Sequence, residues 1–388
     1  MVFMSSWERG YSKVMQFDNN TRAFLDLVKA GLWEENVRLS QFKDINYSAI
    51  MRMAEEQSVV GLVTAGLEKV SDVKAPKEVV LQFVGSTLQI EQRNKEMNDF
   101  VARLIERLRI DDVYAILVKG QGIAQCYERP LWRACGDVDL LLSDTNYEKA
   151  KKVLLPLALE VDTEFKSLRH FGMTIEGGFE VELHGLLHSR LSKRIDRIID
   201  KAQDDIFYGG QVGSWQNGDT QVFLPAVDSD VIIIFTHILK HFFIEGVGLR
   251  QICDWCRLLW KYQSKIDVKL LEKRLRTAGL MTEWEAFSAF AVECLGMPVE
   301  AMPLYSSDKK WNRKASGIME FVIESGNFGH NRQIPSSNSF IIGKIRAAWF
   351  KMHDFARHAR LFPMDSLRFF FHYYLNGVST ARDRLNNK

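Results

Sequence analysis

Two aspartates near the middle of the chain, Asp137 and Asp139, have a spacing suited to binding a metal ion. They flank Val138 at the start of an apolar run that continues to Leu142. Because side chains alternate along a strand, both carboxylates would point to one face, about 6–7 Å apart along the chain. Two like charges held side by side are unfavourable unless a cation or a basic group lies between them. Hard oxygen ligands of this kind suit Mg²⁺, which keeps waters and substrate phosphates as its other ligands.

A third carboxylate is available in the apolar segment Phe179–His184, where Glu182 stands between Val181 and Leu183. On a neighbouring strand those two apolar residues would face the core, and Glu182 would face the aspartates. Glu180 shares its face and is the weaker candidate. Three carboxylates could hold two ions about 3.5–4 Å apart, the arrangement used for in-line displacement at phosphorus. The Asp-x-Asp spacing alone is equally compatible with a polar strand end.

The hydrophobic period changes twice along the chain, and it predicts three regions that would position these residues. Residues 1–110 have a helical period. Residues 111–225 contain short runs rich in β-formers and predict an α/β domain, and residues 226–388 return to the helical period. The predicted fold class is therefore α+β, with a mixed sheet flanked by N-terminal and C-terminal helical regions. Its predicted strands are 113–118, 138–142, 159–165, 172–176 and 179–184, the last two joined by a turn at Gly177-Gly178.

The ordered set of motifs resembles the DNA polymerase β-like nucleotidyltransferase superfamily. More specifically, it resembles an uncharacterised bacterial nucleotidyltransferase family that carries a Leu-x-Lys-Gly turn followed by Arg-x-x-x-Asp-x-Asp-Leu-Leu. This chain has the two motifs at Leu117–Gly120 and Arg133–Leu141. The resemblance covers most of the chain, because it continues through the segments 181–184, 237–241, 248–254 and 326–329.

The resemblance implies a metal-dependent nucleotidyltransferase built on a polymerase β-like sheet. Such an enzyme moves a nucleoside monophosphate from a nucleoside triphosphate (NTP) to a hydroxyl acceptor and releases pyrophosphate. Asp137 and Asp139 would bind one Mg²⁺ (or Mn²⁺) that carries the triphosphate, and with Glu182 they would hold a second. The NTP would lie in a cleft between the α/β domain and the C-terminal helices. The acceptor stays open between a small molecule, a protein and an RNA end.

Two other functions fit the same motifs. The chain could be a catalytically degenerate binding or scaffold protein that keeps the nucleotidyltransferase fold. It could also be a toxin-like modifier of tRNA or protein. The identity of a labelled acceptor would separate these alternatives.

The turn that would seat the triphosphate departs from the superfamily pattern of Gly-Ser or Gly-Gly. Here it reads Lys119, Gly120 and Gln121, and the gap to Asp137 is longer than in the common form. Gly120 permits close approach of the backbone, and the start of a helix after it would favour phosphate. Lys119 could supply a positive charge to the phosphates instead, pair with Asp137 or Asp139, or be a solvated side chain.

Three further basic residues are candidates for nucleotide binding. Arg133 could contact a phosphate with its planar donor fork, or it could pair with Asp137 or a nearby acid as part of the structure. In the resemblance, the region of Lys240 and Arg250 packs over the nucleotide, so either could contact phosphates or the acceptor. A salt-bridged pair of helices is the alternative for these two residues.

Three histidines are additional candidates. His184 would share the face of Glu182, where it could act beside the metal or be a structural residue. His237 and His241 stand one helical turn apart and could share a metal. However, Ile238 follows His237, where the zinc-protease pattern requires Glu.

Composition excludes several classes of protein. Of the 388 residues, 46% are hydrophobic, so the chain can bury a core, and its net charge of +2 predicts no long nucleic acid as a partner. Five cysteines are too few and too scattered for a disulfide framework. We see no secretory signal and expect no membrane span, which predicts a cytoplasmic protein. The aromatic segment Leu367–Leu375 could stack on nucleic acid, lie on a membrane or dock on the core.

Overall fold

The computed structural model describes residues 17–164, 166, 169–327 and 352–372. It is an α+β structure with a seven-stranded mixed sheet and flanking helices, which confirms the predicted fold class. The chain divides into two units. The first takes described residues within 1–87, 238–263 and 280–370, and the second takes those within 88–237, 264–279 and 371–388. The three-region division drawn from hydrophobic period stays a prediction.

Helices precede and follow the strands along the chain, and several also lie between strands. Residues 352–361 and 363–372 are helical. The α-helices with defined ends are α1 (Asn19–Trp33), α2 (Tyr47–Glu56), α3 (Val60–Glu68), α4 (Lys77–Ile110), α5 (Gly120–Ala124), α6 (Asp144–Leu154), α7 (Lys193–Phe207), α8 (Val227–Ile244), α9 (Leu249–Tyr262), α10 (Val268–Ala278), α11 (Met281–Ala289) and α12 (Lys309–Ser325).

The sheet lies in the second unit and has the strand order β3-β4-β5-β2-β1-β7-β6. Its strands are β1 (Ile116–Val118), β2 (Val138–Leu141), β3 (Ala158–Val161), β4 (His170–Ile175), β5 (Phe179–His184), β6 (Val212–Asn217) and β7 (Thr220–Pro225). The pairs β2–β5 and β1–β7 are parallel, and the other neighbours are antiparallel. The chemistry-bearing strands β1, β2, β5 and β4 are therefore adjacent.

One face of the sheet carries the main core of this unit. Val138 and Leu140 of β2 and Val181 and Leu183 of β5 are fully buried on that face. They pack with apolar residues of the long helix α4, such as Phe100, and with α6. Because side chains alternate, Asp139 and Glu182 must lie on the opposite face. The strand pattern thus fixes where the site can form.

β6 and β7 were not expected from the sequence, and the five expected strands differ from the observed ones mainly in length. β1 begins at Ile116 rather than at residue 113, and β4 begins at His170 rather than at 172. β3 ends at Val161, whereas residue 165 of the predicted strand lies outside the described residues. Both Gly177 and Gly178 of the β4–β5 turn have positive φ, which only glycine adopts without strain.

Residues 367–370 of the aromatic C-terminal segment belong to the first unit. Phe369 is 2% exposed and packs edge-on against Phe243, with ring centroids 4.8 Å apart. Residues 373–375 of that segment lie outside the described residues. Within the part of the chain that is described, no helix combines the length and the apolar character needed to cross a bilayer.

Candidate metal and nucleotide site

Three carboxylates converge on the face of the sheet opposite the main core. Asp139 in β2 is paired directly with Glu182 in the parallel strand β5, so their side chains share a face. Asp137 lies two residues before Asp139, just ahead of β2. One carboxylate oxygen from each of the three residues lies within 4.8 Å of the others. The convergence expected from the sequence is therefore observed.

Lys119 occupies the edge of this cluster. Its Nζ donates to Asp139 Oδ1 at 2.9 Å, and the lysine and aspartate side chains are 17% and 3% exposed. The Lys119 backbone, with φ 59° and ψ −143°, is in a region that strongly favours glycine. This strained turn directs the lysine chain toward Asp139 as the backbone passes from β1 to α5. The sequence left Lys119 open between a phosphate ligand, a partner of Asp137 or Asp139 and a solvated side chain, and the structure pairs it with Asp139.

His184 closes the cluster on the side away from Lys119. Its Nε2 lies 2.7 Å from Asp139 Oδ1 and 3.3 Å from Glu182 Oε2. A second histidine, His170, places its Nε2 3.1 Å from the same Glu182 oxygen. The two imidazole rings stack with centroids 4.8 Å apart.

The electrostatics of the three carboxylates differ because their neighbours differ. Burial acts to raise the pKa of Asp139, but Lys119 and His184 outweigh it and hold that pKa below its ordinary value. The pKa of Glu182 is also lowered, because hydrogen bonds from His170 and His184 outweigh the effect of burial. The pKa of Asp137 shifts in the opposite direction. Repulsion from Asp139, followed by burial, raises the pKa of Asp137 from 3.8 to about 6.

The pKa values of the two basic neighbours of Asp139, Lys119 and His184, are shifted upward. Burial alone would lower the pKa of Lys119, yet the charge and hydrogen bond of Asp139 raise it overall. Likewise, the hydrogen bonds of His184 to Asp139 and Glu182 outweigh burial, so its pKa is raised. The site therefore holds Asp139 between two basic side chains and leaves Asp137 as the carboxylate whose ionised form is destabilised by repulsion.

The turn after β1 presents Gly120 to this cluster. A Cβ at Gly120 would stand 3.4 Å from the carbonyl oxygen of Asp137, and φ is +34°, so a larger residue would be strained. The helix expected to follow is α5, only five residues long, so its dipole offers little to a phosphate. Gln121 is 1% exposed and its amide contacts the sulfur of Met97.

Arg133 is 9% exposed, and its Nη1 donates to the carbonyl of Ala134 at 3.1 Å and contacts Cys135 Sγ at 3.3 Å. The side-chain amide of Asn94 donates to the Arg133 carbonyl at 2.8 Å. These two contacts of the Arg133 guanidinium are with its own chain neighbours. A phosphate role for this residue stays a prediction.

The remaining predicted residues lie on α8 and α9. Lys240 and Arg250 belong to the first unit, on α8 and at the start of α9. His241 also lies in the first unit, with its Nδ1 2.8 Å from Glu245 Oε2. Among the described residues, neither His237 nor His241 belongs to a convergent group of three metal-ligand side chains. Roles for these four residues stay predictions.

His170 is the site residue that the sequence analysis missed. The predicted strand began at residue 172 and so excluded it. A two-residue turn at Gly177-Gly178 would pair Glu176 with Phe179 and set Phe171 opposite His184. The observed turn instead pairs Ile175 with Phe179, and this one-residue difference in register sets His170 opposite His184.

Part of the chain matches the model of a known protein family. Residues 43–296 match a family described as an uncharacterised nucleotidyltransferase, and this range is more than half of the chain. The matched range contains β1, β2, β4 and β5, and with them every residue of the carboxylate cluster. No curated protein and no solved structure matches the chain.

Proposed function

Because the chain belongs to the uncharacterised nucleotidyltransferase family, we propose that it moves a nucleoside monophosphate from an NTP to a hydroxyl acceptor and releases pyrophosphate. The acceptor class is a small molecule, a protein or an RNA end. The fold around the cluster would be of the polymerase β-like kind. Mg²⁺ or Mn²⁺ would be the metal, and the NTP would be a substrate.

The observation that carries this proposal is the convergence of Asp137, Asp139 and Glu182 within 4.8 Å of one another. An oxygen-rich donor set of this kind fits Mg²⁺ or Mn²⁺. The raised pKa of Asp137, caused first by the charge of Asp139, means that this arrangement favours an added cation. When bound, divalent ions would neutralise the triphosphate and lower the pKa of the acceptor hydroxyl.

The protein's own residues would bind and orient the reactants. Lys119 and His184 hold the Asp139 carboxylate from two sides, which fixes the direction of its oxygens before any ligand arrives. His170 does the same for Glu182. Gly120 lacks a side chain beside Asp137 and so leaves room for phosphate oxygens to approach the backbone. Lys119 would act mainly as the positioning residue of Asp139.

Nucleotide transfer can be tested directly with a matched pair of variants. The purified chain is incubated with each α-³²P-labelled NTP and Mg²⁺ or Mn²⁺ in a cell extract, and labelled products are separated. We expect label on a protein, an RNA or a small molecule with wild type, and none with Glu182→Gln. Glu180→Gln is the control, since Glu180 is an exposed acid two residues earlier on the same strand face. Equal labelling by the two variants, or none with any NTP, would contradict the proposal.

One observation favours the alternative of a binding protein without catalysis. Asp139 already has two basic neighbours, Lys119 at 2.9 Å and His184 at 2.7 Å, so its charge is balanced without a metal. In that case Mg²⁺ and NTP would raise the melting temperature by binding the native state, while no label would transfer. A labelled tRNA or protein would instead identify a modifier of the toxin-like class.

A further inference from the structure

A second group of metal-ligand side chains lies beside the carboxylate cluster. We propose that His170, Glu182 and His184 form a second metal site, for a borderline divalent transition ion such as Zn²⁺ or Co²⁺. Glu182 is the one residue common to this group and the three-carboxylate cluster, and His184 Nε2 also lies 2.7 Å from Asp139 Oδ1. Its metal binding needs no nucleotide, and only its part in catalysis rests on the proposed function.

The distances within this histidine–glutamate site suit a small ion. The Nε2 atoms of His170 and His184 lie 3.1 and 3.3 Å from the same oxygen, Glu182 Oε2. All three ligand atoms lie within 4.8 Å of one another. A tetrahedral ion with bonds of about 2.1 Å requires its ligands to be about 3.4 Å apart. Small movements of the three side chains would therefore admit the ion.

The β4–β5 hairpin holds these ligands in place. His170 and His184 are directly paired across the two strands, and Glu182 is paired with Gly172 one step further along. The imidazole rings stack at an interplanar angle of 27°, so both present Nε2 toward the glutamate. Their side chains are 28% and 9% exposed, which leaves a path for an ion from solvent to the His170 side.

The donor atoms separate this site from the Mg²⁺ site. Two imidazole nitrogens and one carboxylate favour transition ions, whereas Mg²⁺ prefers oxygen ligands and retains its waters. The cluster of Asp137, Asp139 and Glu182 offers oxygen alone. Glu182 would thus stand between two sites of different metal preference. In the proposed reaction, the second ion of the pair would then be a transition metal rather than a second Mg²⁺.

Equilibrium dialysis of the full chain with Zn²⁺ alone tests the site. The protein is first stripped with EDTA, and no nucleotide is present. We expect about one Zn²⁺ per chain, and an affinity more than about 100-fold weaker in His170→Ala, since losing even an outer-shell partner costs 10–100-fold. His188→Ala is the matched control, because His188 pairs with Asp200 at 2.6 Å outside the site. No stoichiometric Zn²⁺ on wild type, or undiminished binding by His170→Ala, would overturn the inference.

Two further variants and a Co²⁺ spectrum test the site independently of the alanine substitution. His170→Gln, which retains a polar side chain, replaces His170→Ala if the alanine variant does not fold. Co²⁺ bound by wild type should give the strong visible absorption of a low-coordinate nitrogen-containing site, and only weak absorption would count against it. Asp137→Asn should leave Zn²⁺ affinity unchanged but abolish stabilisation by Mg²⁺–NTP. If label transfer fails in wild type while Zn²⁺ still binds through His170, the proposed function is refuted and this site stands.

Discussion

Replacing Asp137 by asparagine should stabilise the metal-free protein. The nearby charge of Asp139 destabilises the ionised form of Asp137, and the pKa of Asp137 rises from 3.8 to about 6. One pKa unit corresponds to about 1.4 kcal/mol, so ionised Asp137 costs the native state about 3 kcal/mol. Asparagine removes the repulsion but still buries a polar group. We therefore expect a net gain of about 1–3 kcal/mol in the free energy of unfolding at pH 8.

The gain should depend on pH with a defined sign. A carboxyl with a raised native pKa contributes its full stability below the unfolded pKa, here 3.8, and loses it as the pH rises through about 6. Wild type should therefore lose this stability between about pH 4 and pH 6. Asp137→Asn has no such loss, so its advantage should be small at pH 4, grow across that interval and stay constant above it.

Urea unfolding with EDTA present, followed by circular dichroism at pH 4, 6 and 8, measures this advantage. Glu180→Gln serves as the control, since it removes an exposed acid from the same sheet and should change stability by less than about 0.5 kcal/mol. A destabilised Asp137→Asn at pH 8, or a gain of the same size at every pH, would refute the repulsion argument.

Three further predictions concern charges that the structure places in distinct surroundings. Asp139→Asn should destabilise the chain by about 3–5 kcal/mol, because it strips two basic neighbours of their buried anion; urea unfolding would contradict this if stability rose. Lys119→Gly should be about 1–3 kcal/mol more stable than Lys119→Ala, since both lose the ion pair but glycine relieves the positive φ; equal stabilities would exclude strain. Glu283→Gln should gain about 1–3 kcal/mol at pH 8 and less at pH 4, because burial, then Asp365, raises the pKa of this fully buried acid well above its ordinary value. Thermal unfolding of wild type and Glu283→Gln at both pH values measures this gain, and a lower stability of Glu283→Gln at pH 8 would contradict the prediction.

Much of the site could be predicted because its key residues follow a local rule. Alternation along β2 and β5 put Val138 and Val181 in the core, and so put Asp139 and Glu182 on the other face. The hydrophobic pattern carries this information without knowledge of strand order. The same alternation predicts that His184 accompanies Glu182, and the structure places their side chains 3.3 Å apart.

Features that depend on distant pairing were harder to predict. No strand was expected at β6 or β7, although Asn217-Gly218 stands between them, and the parallel pairing of β1 with β7 has no local signal. The contact between Lys119 and Asp139 depends on which strands are neighbours and on a backbone conformation unusual for lysine. Neither can be read from residue types, since lysine at a strand end is ordinarily solvated.

The contacts of the site span very different lengths of chain, and this sets an order for its assembly during synthesis. His170 meets Glu182 across 12 residues of hairpin, and Lys119 meets Asp139 across 20 residues. His184 meets Asp139 only across 45 residues, through a parallel strand pair. Short loops close sooner than long ones, so the emerging polypeptide would form two half-sites before joining them. A chain synthesised only as far as β4 would hold Asp137, Asp139 and Lys119 but not yet Glu182 or His184, so the three-carboxylate cluster can form only after β5 is made.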